Sequence, residues 1–490
     1  MPRRRPPRDH DRSSALKCSR RVDAWPTGPI AVCLATVVLP AATVTGSAGA
    51  GDRAAARATR ACNDSAVTPV PQPTTAHMAA AGLAKLPVAP AARRVDLVAP
   101  AFSNPTSITN PLFPISRLAS VVLNGKVDGR AFRTETTLLP DTRIVEWSPG
   151  QCVKALVSQY VAFLDGRIQE VALDFYAQAD DGSVWYFGED VFNYEQGVVA
   201  DTSGTWLAGK EGPAAMIMPA VPAAGVVHRP ENIPGLVWEE VAVKTIGRIV
   251  DGPRGRVAGA MVGRELHDDG TFSDKIFAPG YGEFYSGHEG DVEALAVAVP
   301  TDELPGPTPP ALRRLSSGAD RVLRTAAPER GRTIAATVRE MKAAWNAHRG
   351  DRVPPRLVAP TGRALRALAR AVQAGHRGSV RNAALDVKQA ALDLQLPYRP
   401  SAEIDRARFE LWARQVPVDA AARNRAAVAG DVATLEWIRD RIARSVDSVA
   451  VTRIDTRLEE LRAEVADHDL AAAAKTAVEL RRTLAKAGRH

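Results

Sequence analysis

Five prolines fall between Pro300 and Ala311, in the run P-T-D-E-L-P-G-P-T-P-P-A. Proline lacks the amide proton that a helix or sheet interior needs, so neither element can run through this segment. The run also marks a change of period. Before it, short apolar-alternating runs are separated by glycine turns. After it, apolar residues recur every three or four positions and glycine becomes sparse. A chain written this way folds as two units of different class. We expect an α+β multidomain protein, with a mostly antiparallel β domain over 96–300, a proline-rich linker over 301–311 and an all-α helical bundle over 312–490.

In the first unit, Val121 to Leu123 leads to Asn124-Gly125, a favourable hairpin dipeptide. Ala131 to Leu139 follows and breaks at Pro140-Asp141. Val153 to Phe163 ends at Asp165-Gly166, and Arg167 to Ala177 ends at Asp180-Asp181-Gly182. Val184 to Phe187 is the next strand, with Glu189, Asp190 and Glu195 on less regular chain beyond it. Strands joined by such short turns pair antiparallel. No 12-residue helical pattern separates them, which argues against a nucleotide-binding βαβ sheet. In the second unit the expected helices are 311–327, 332–348, 361–375, 378–396, 401–424, 431–446 and 449–486, the last broken near Asp467. Ser401 and Asp431 have the side chains of helix N-caps.

The N-terminus carries Arg3, Arg4, Arg5, Arg8, Arg12, Lys17, Arg20 and Arg21 ahead of an apolar stretch from Ile30 to Val44, with small residues at 47–50. This is the layout of a secretory signal over 1–50. Residues 51–95, rich in Ala, Pro, Thr and Arg, read as a disordered tether. The expected location is therefore outside the cytoplasm: periplasmic, envelope-associated or extracellular. No segment of the mature chain is apolar enough to span a membrane. Of the four cysteines, Cys62 and Cys152 remain after signal removal. In an oxidising compartment they either form one disulfide or stand as two unrelated thiols.

Charge is unevenly spread. Residues 311–490 hold 34 Lys and Arg against 21 acids, whereas 51–310 hold 21 against 31. Such asymmetry fits docking between the halves, or an anionic envelope component as partner of the basic half. Nucleic acid is not expected as a partner, because an exported chain meets little of it and aromatics do not interleave with the charges.

Chemistry-bearing motifs are mostly missing. The chain has no G-x-S-x-G elbow, H-E-x-x-H, P-loop or dinucleotide fingerprint. No cofactor is implied. The richest run is Asp174 to Gly197, D-F-Y-A-Q-A-D-D-G-S-V-W-Y-F-G-E-D-V-F-N-Y-E-Q-G, where seven of 24 residues are aromatic and six are acids. Period two puts Asp174, Tyr176 and Gln178 on one face and Phe175 and Ala177 on the other. The candidate ligand-binding residues are Asp174, Tyr176, Gln178, Glu189, Asp190 and His228. Carboxylates beside aromatics suit a hard cation or a polyol; the same pattern also describes a solvated strand edge over a core. Asn104-Pro105 and Asn110-Pro111 force an extended chain that could seal a sheet edge.

Taken together, Phe102–Pro114 (F-S-N-P and N-P-L-F-P), the Asp174–Val191 run, M-I-M-P at 216–219 and F-A-P-G-Y-G-E at 277–283 resemble a family of exported actinobacterial proteins of uncharacterised activity. The resemblance covers roughly residues 100–298. Leu112 stands where that family usually has an aromatic. The resemblance implies an exported β domain and no reaction. The expectation is a non-enzymatic ligand-binding or structural envelope protein. Two alternatives are a secreted hydrolase using carboxylates such as Asp174 with Glu189, and a metal-binding helical domain built on Asp386, Asp393 or His376.

Overall fold

The computed structural model describes residues 69–325, 331–350 and 353–487. The expected signal, residues 51–68 of the tether and Cys62 lie outside them, whereas 69–95, expected to be disordered, include a helix at Thr75–Ala80 and bury Val70 and Leu83 against the β domain. The fold is a large antiparallel β domain followed by an all-α bundle. The strands are β1 (Ser120–Val127), β2 (Arg130–Ser148), β3 (Gln151–Leu164), β4 (Arg167–Gln178), β5 (Val184–Glu195), β6 (Val198–Asp201), β7 (Trp206–Leu207), β8 (Ala215–Met218), β9 (Val227–Ile233), β10 (Val237–Gly252), β11 (Gly255–His267), β12 (Phe272–Ala278), β13 (Gly282–His288) and β14 (Asp291–Val299). They form one sheet in the order β6-β5-β4-β3-β2-β1-β14-β13-β12-β11-β10-β9, with β7 and β8 added to β5. Every pairing is antiparallel, and β1 against β14 joins two meanders.

The sheet curls until its far strands meet. His228 on β9 bonds the Met216 carbonyl on β8 through Nδ1 at 3.0 Å. Residues 94–95 cover β9 from outside, with the Val95 amide donating to the Val227 carbonyl. Neither edge is left as a long bare template.

Two of the expected turns fall elsewhere. Asn124-Gly125 lies inside β1, and the chain turns at Asp128-Gly129, where both residues have positive φ. Gly125 is glycine for a packing reason: a Cβ there would sit 1.5 Å from the Val292 carbonyl oxygen on β14. Pro140-Asp141 does not end a strand either. β2 runs through it with a register irregularity between Leu138 and Thr142, a distortion that accommodates the missing proline donor.

The Asn-Pro segment closes one end of the curled sheet. Asn110 donates to the carbonyls of Gly182 and Pro219, and the Gly280 amide donates to Pro111. These partners come from the β4–β5 turn, the end of β8 and the β12–β13 turn, which lie at the same end. Phe113 and Ile115, at the C-terminal end of this plug, are buried.

The helices are α1 (Thr75–Ala80), which precedes the sheet, and then α2 (Pro310–Thr325), α3 (Gly331–His348), α4 (Pro355–Ala374), α5 (Arg377–Gln395), α6 (Ser401–Ala421), α7 (Arg425–Ile442), α8 (Ser448–Ala466) and α9 (Leu470–Lys486). α4 starts six residues before its expected start. Pro355 opens it, and the helix continues past Pro360 because Leu357, Thr361, Leu365 and Leu368 bury one face. Ser401 is the first helical residue of α6, not its cap. The cap of α7 is Asn424, whose side chain accepts from the Ala427 amide; Asp431 lies a turn and a half inside, fully buried. The expected break near Asp467 separates α8 from α9, and Asp469 caps the latter. No described helix is long and apolar enough to cross a membrane.

The bundle packs on the outer face of β1–β4 and β14. Val122, Ala296 and Val297 join the core of α2–α5, while Phe163 stacks on Trp412 and Trp437 donates to the Tyr194 hydroxyl. Between these apolar areas lies a buried ion cluster. Glu135 on β2 meets Arg133, Arg408 and Arg441. Arg408 also reaches Asp393 at 3.0 Å and Asp405 at 3.2 Å. Pairing runs in both directions, since Arg167 on β4 bonds Asp419 and Asp431 of the bundle. The halves therefore dock through reciprocal pairs, not as one acidic surface on one basic surface.

Candidate functional site

Alternation along a strand sends every second side chain inward, and three bulges alter that count. On β5 the register against β4 shifts between the Asp174–Glu189 and Tyr176–Tyr186 pairs, so Tyr186 and Glu189, three apart, both face the interior. Gly188 makes this bulge, with φ +120° and no room for a Cβ, which would lie 2.2 Å from the Trp206 carbonyl oxygen. On β9 a shift opposite Glu239 and Val241 turns both His228 and Glu231 inward. On β13 a third shift does the same for Glu283 and Ser286.

These residues line an interior cavity of about 170 Å³ with Tyr160, Glu170, Asp174, Tyr176, Glu239, Glu265, Lys275 and Glu293. A second space of about 130 Å³ shares the walls formed by Phe113, Tyr160, Asp174, Tyr176, Glu283 and Glu293. Phe113 packs edge-on against Tyr176 at 5.0 Å, and Tyr176 stacks on Tyr186 at 4.7 Å. The plug thus supplies the aromatic end of the chamber.

Eight carboxyls line this wall, and Lys275, His228 and His267 are the basic residues facing them. Burial is the first cause of their altered acidity. It pushes Glu170 up to about 8, with Asp174 and Glu293 adding repulsion. Asp174 is raised to about 7 despite accepting a 2.7 Å bond from the Tyr186 hydroxyl, and Glu293 to about 7 despite one from Thr134. Glu189 and Glu231 are raised too, by burial and then by Asp174 and Glu239 respectively. Glu189 Oε1 and Glu231 Oε2 find no donor on another residue type, and the two carboxyls lie against each other. Burial lowers His228, leaving it neutral. Its Nδ1 faces a carbonyl and so carries the proton, which leaves Nε2 as an acceptor with no partner.

Across the cavity, Glu239 is depressed to about 2: burial opposes this, but the hydrogen bond and charge of His267 outweigh it. Lys275 bridges Glu265 at 3.3 Å and Glu283 at 3.2 Å.

Of the residues singled out from sequence, the structure brings Asp174, Tyr176, Glu189 and His228 to one wall. Gln178 lies elsewhere: its Oε1 accepts from the Thr109 and Asn110 amides and anchors the plug. Asp190 points outward to Arg143 at 2.7 Å. Glu189 and Asp190 stand on strand, because β5 continues past the Gly188 bulge to Glu195. Phe175, Ala177, Trp185 and Phe187 are buried in apolar core. The remaining carboxyls escape a search for dense motifs, being dispersed over six strands. Their one local signal is a polar residue recurring at the inward position, as in Glu170-x-x-x-Asp174 and Glu265-x-His267.

The metal-binding group expected in the helical domain does not form among the described residues. Asp393 is taken up by Arg133 and Arg408, Asp386 lines a groove beside α4, and His376 is an exposed N-cap. Cys152 is disulfide-bonded. The chain matches no family model and no curated protein.

Proposed function

We propose that this is an exported, non-enzymatic binding protein whose β domain encloses a small, positively charged organic molecule. The observation that carries this reading is a buried acceptor set, the facing carboxyls of Glu189 and Glu231 with the unpartnered His228 Nε2, on a wall of stacked tyrosines. Buried acceptors left unpaired cost free energy, and an ammonium or guanidinium donor would satisfy them. The faces of Tyr176 and Tyr186 add the environment in which organic cations bind. An apolar space of about 150 Å³ accommodates benzene, so the two adjacent spaces suit a ligand of roughly six to twelve non-hydrogen atoms. The N-terminal charge and hydropathy pattern supports export, and the disulfide at Cys152 fits an oxidising compartment. Cys62 is its proposed partner. The envelope component proposed for the helical half would meet Arg363, Arg366 and Arg370, which are exposed along α4 beside a groove of about 540 Å³.

The test is calorimetric titration of the full-length protein with agmatine and butylamine, beside 1-butanol as the uncharged counterpart of butylamine. The cations bind and the alcohol does not, and Glu231→Gln and Glu189→Gln each weaken binding by about tenfold. Equal binding of butylamine and its uncharged counterpart would remove the reading. One observation favours hydrolysis as a second reading: Asp174 and Glu189 stand opposite each other on the same concave wall. Recovery of the bound molecule unchanged after prolonged incubation separates the two.

A further inference from the structure

The amine reading leaves one inward group unused. Glu239 on β10 stands opposite His267 on β11, and Glu265 precedes His267 by two residues on the same face. One ligand-capable atom from each lies within 4.8 Å of the others, and no other described residues form such a group of three. Glu265 and His267 are each 3% exposed. Glu265 Oε2 accepts no hydrogen bond; its nearest cation is Lys275 Nζ at 3.3 Å. The Ser273 hydroxyl lies 2.7 Å from His267 Nε2 and fixes the ring, as outer partners of metal-bound histidines do, so a metal would replace the 3.1 Å hydrogen bond between His267 Nδ1 and Glu239 Oε1.

We propose that Glu239, Glu265 and His267 form a binding site for a divalent transition metal, with Lys275 as the internal cation that competes for it. One imidazole and two carboxylates suit zinc, manganese or ferrous iron better than calcium or magnesium, which take oxygen donors alone. Three protein ligands leave a coordination position for water or for a molecule in the chamber. Lys275 can retain Glu283, its other carboxylate partner, when it releases Glu265. The site stands apart from the amine reading, since it uses none of Glu189, Glu231 or His228.

The experiment takes full-length protein stripped with a chelator, titrated with Zn²⁺ by calorimetry and with Co²⁺ by visible absorption. The expected result is one ion per chain and a cobalt d–d band. Glu265→Gln and His267→Gln weaken binding by about 100-fold. Lys275→Met tightens it by roughly tenfold, because the competing ammonium is gone. Asp190→Asn, on the exterior, changes nothing. Thermal unfolding of each variant reports whether it folds, and the gain in Lys275→Met stands even if the losses arise from misfolding. Absence of one-to-one binding in both the unaltered protein and Lys275→Met overturns the proposal. So does unchanged affinity in folded Glu265→Gln and His267→Gln. Agmatine titration of the stripped protein is read separately, so failure of one site does not imply failure of the other.

Discussion

Glu135→Gln removes one carboxylate from the ion cluster that joins the two domains. Three guanidinium groups (Arg133, Arg408 and Arg441) face three carboxylates (Glu135, Asp393 and Asp405) there. Arg408 is 0% exposed and Glu135 2%, so water cannot replace the lost charge. Removing one partner of a buried pair costs about 3–5 kcal/mol. In a domain the size of this bundle that lowers Tm by about 6–20 °C. Burial opposes ionisation of Glu135, yet its three arginines hold it well below the usual carboxylate range. A depressed carboxylate contributes stability above its unfolded pKa, and loses it only as pH falls through the folded value. The difference between the two proteins is therefore flat from about pH 5 to 8. Urea unfolding followed by the fluorescence of Trp412 and Trp437, both at this interface, measures it. Glu135→Gln/Arg441→Gln restores equal numbers of charges and recovers more than half of the loss. A cost below about 1 kcal/mol, or no recovery in the double variant, would refute the argument that balance within a dry cluster holds the domains together.

The chamber carboxyls give the opposite pH dependence. Glu170 at about 8, and Asp174 and Glu293 at about 7, hold protons that the unfolded chain releases, so their stabilisation is complete below about pH 4 and is lost as pH rises through 7 and 8. Ligand-free protein should lose a few kcal/mol between about pH 5 and 8, and Glu170→Gln should flatten the upper part of that calorimetric profile. Gly188→Ala destabilises by about 1–3 kcal/mol from backbone strain alone, and more from the clash with the Trp206 carbonyl; denaturant titration reads it, and an unaffected variant would mean that β5 tolerates a regular register there. Non-reducing peptide mapping of secreted protein should recover a Cys62–Cys152 crosslinked peptide that reduction separates, and free thiol at Cys62 would count against the pairing.

Much of the architecture is written locally. The proline-rich run at 300–311, the glycine turns at Asp165-Gly166 and Gly182, and the three-to-four period after residue 311 each act over a few residues, and these determine the class and order of the two units. Period two likewise separates Phe175 and Ala177 from Asp174 and Tyr176 within a single strand. The chamber itself is not local. Bulges at Gly188, on β9 and on β13 reset the alternation, and a bulge depends on the partner strand as much as on its own residues. Curling of the sheet then gathers carboxyls separated by more than 100 residues, such as Glu170 and Glu293. The same holds for Arg408 and for Asp431, which its local sequence offers as a helix N-cap: only the facing element supplies their counter-ions and excludes water. Sequence alone thus determined which elements form, whereas tertiary structure decided which charges are buried, because burial is a property of what lies opposite.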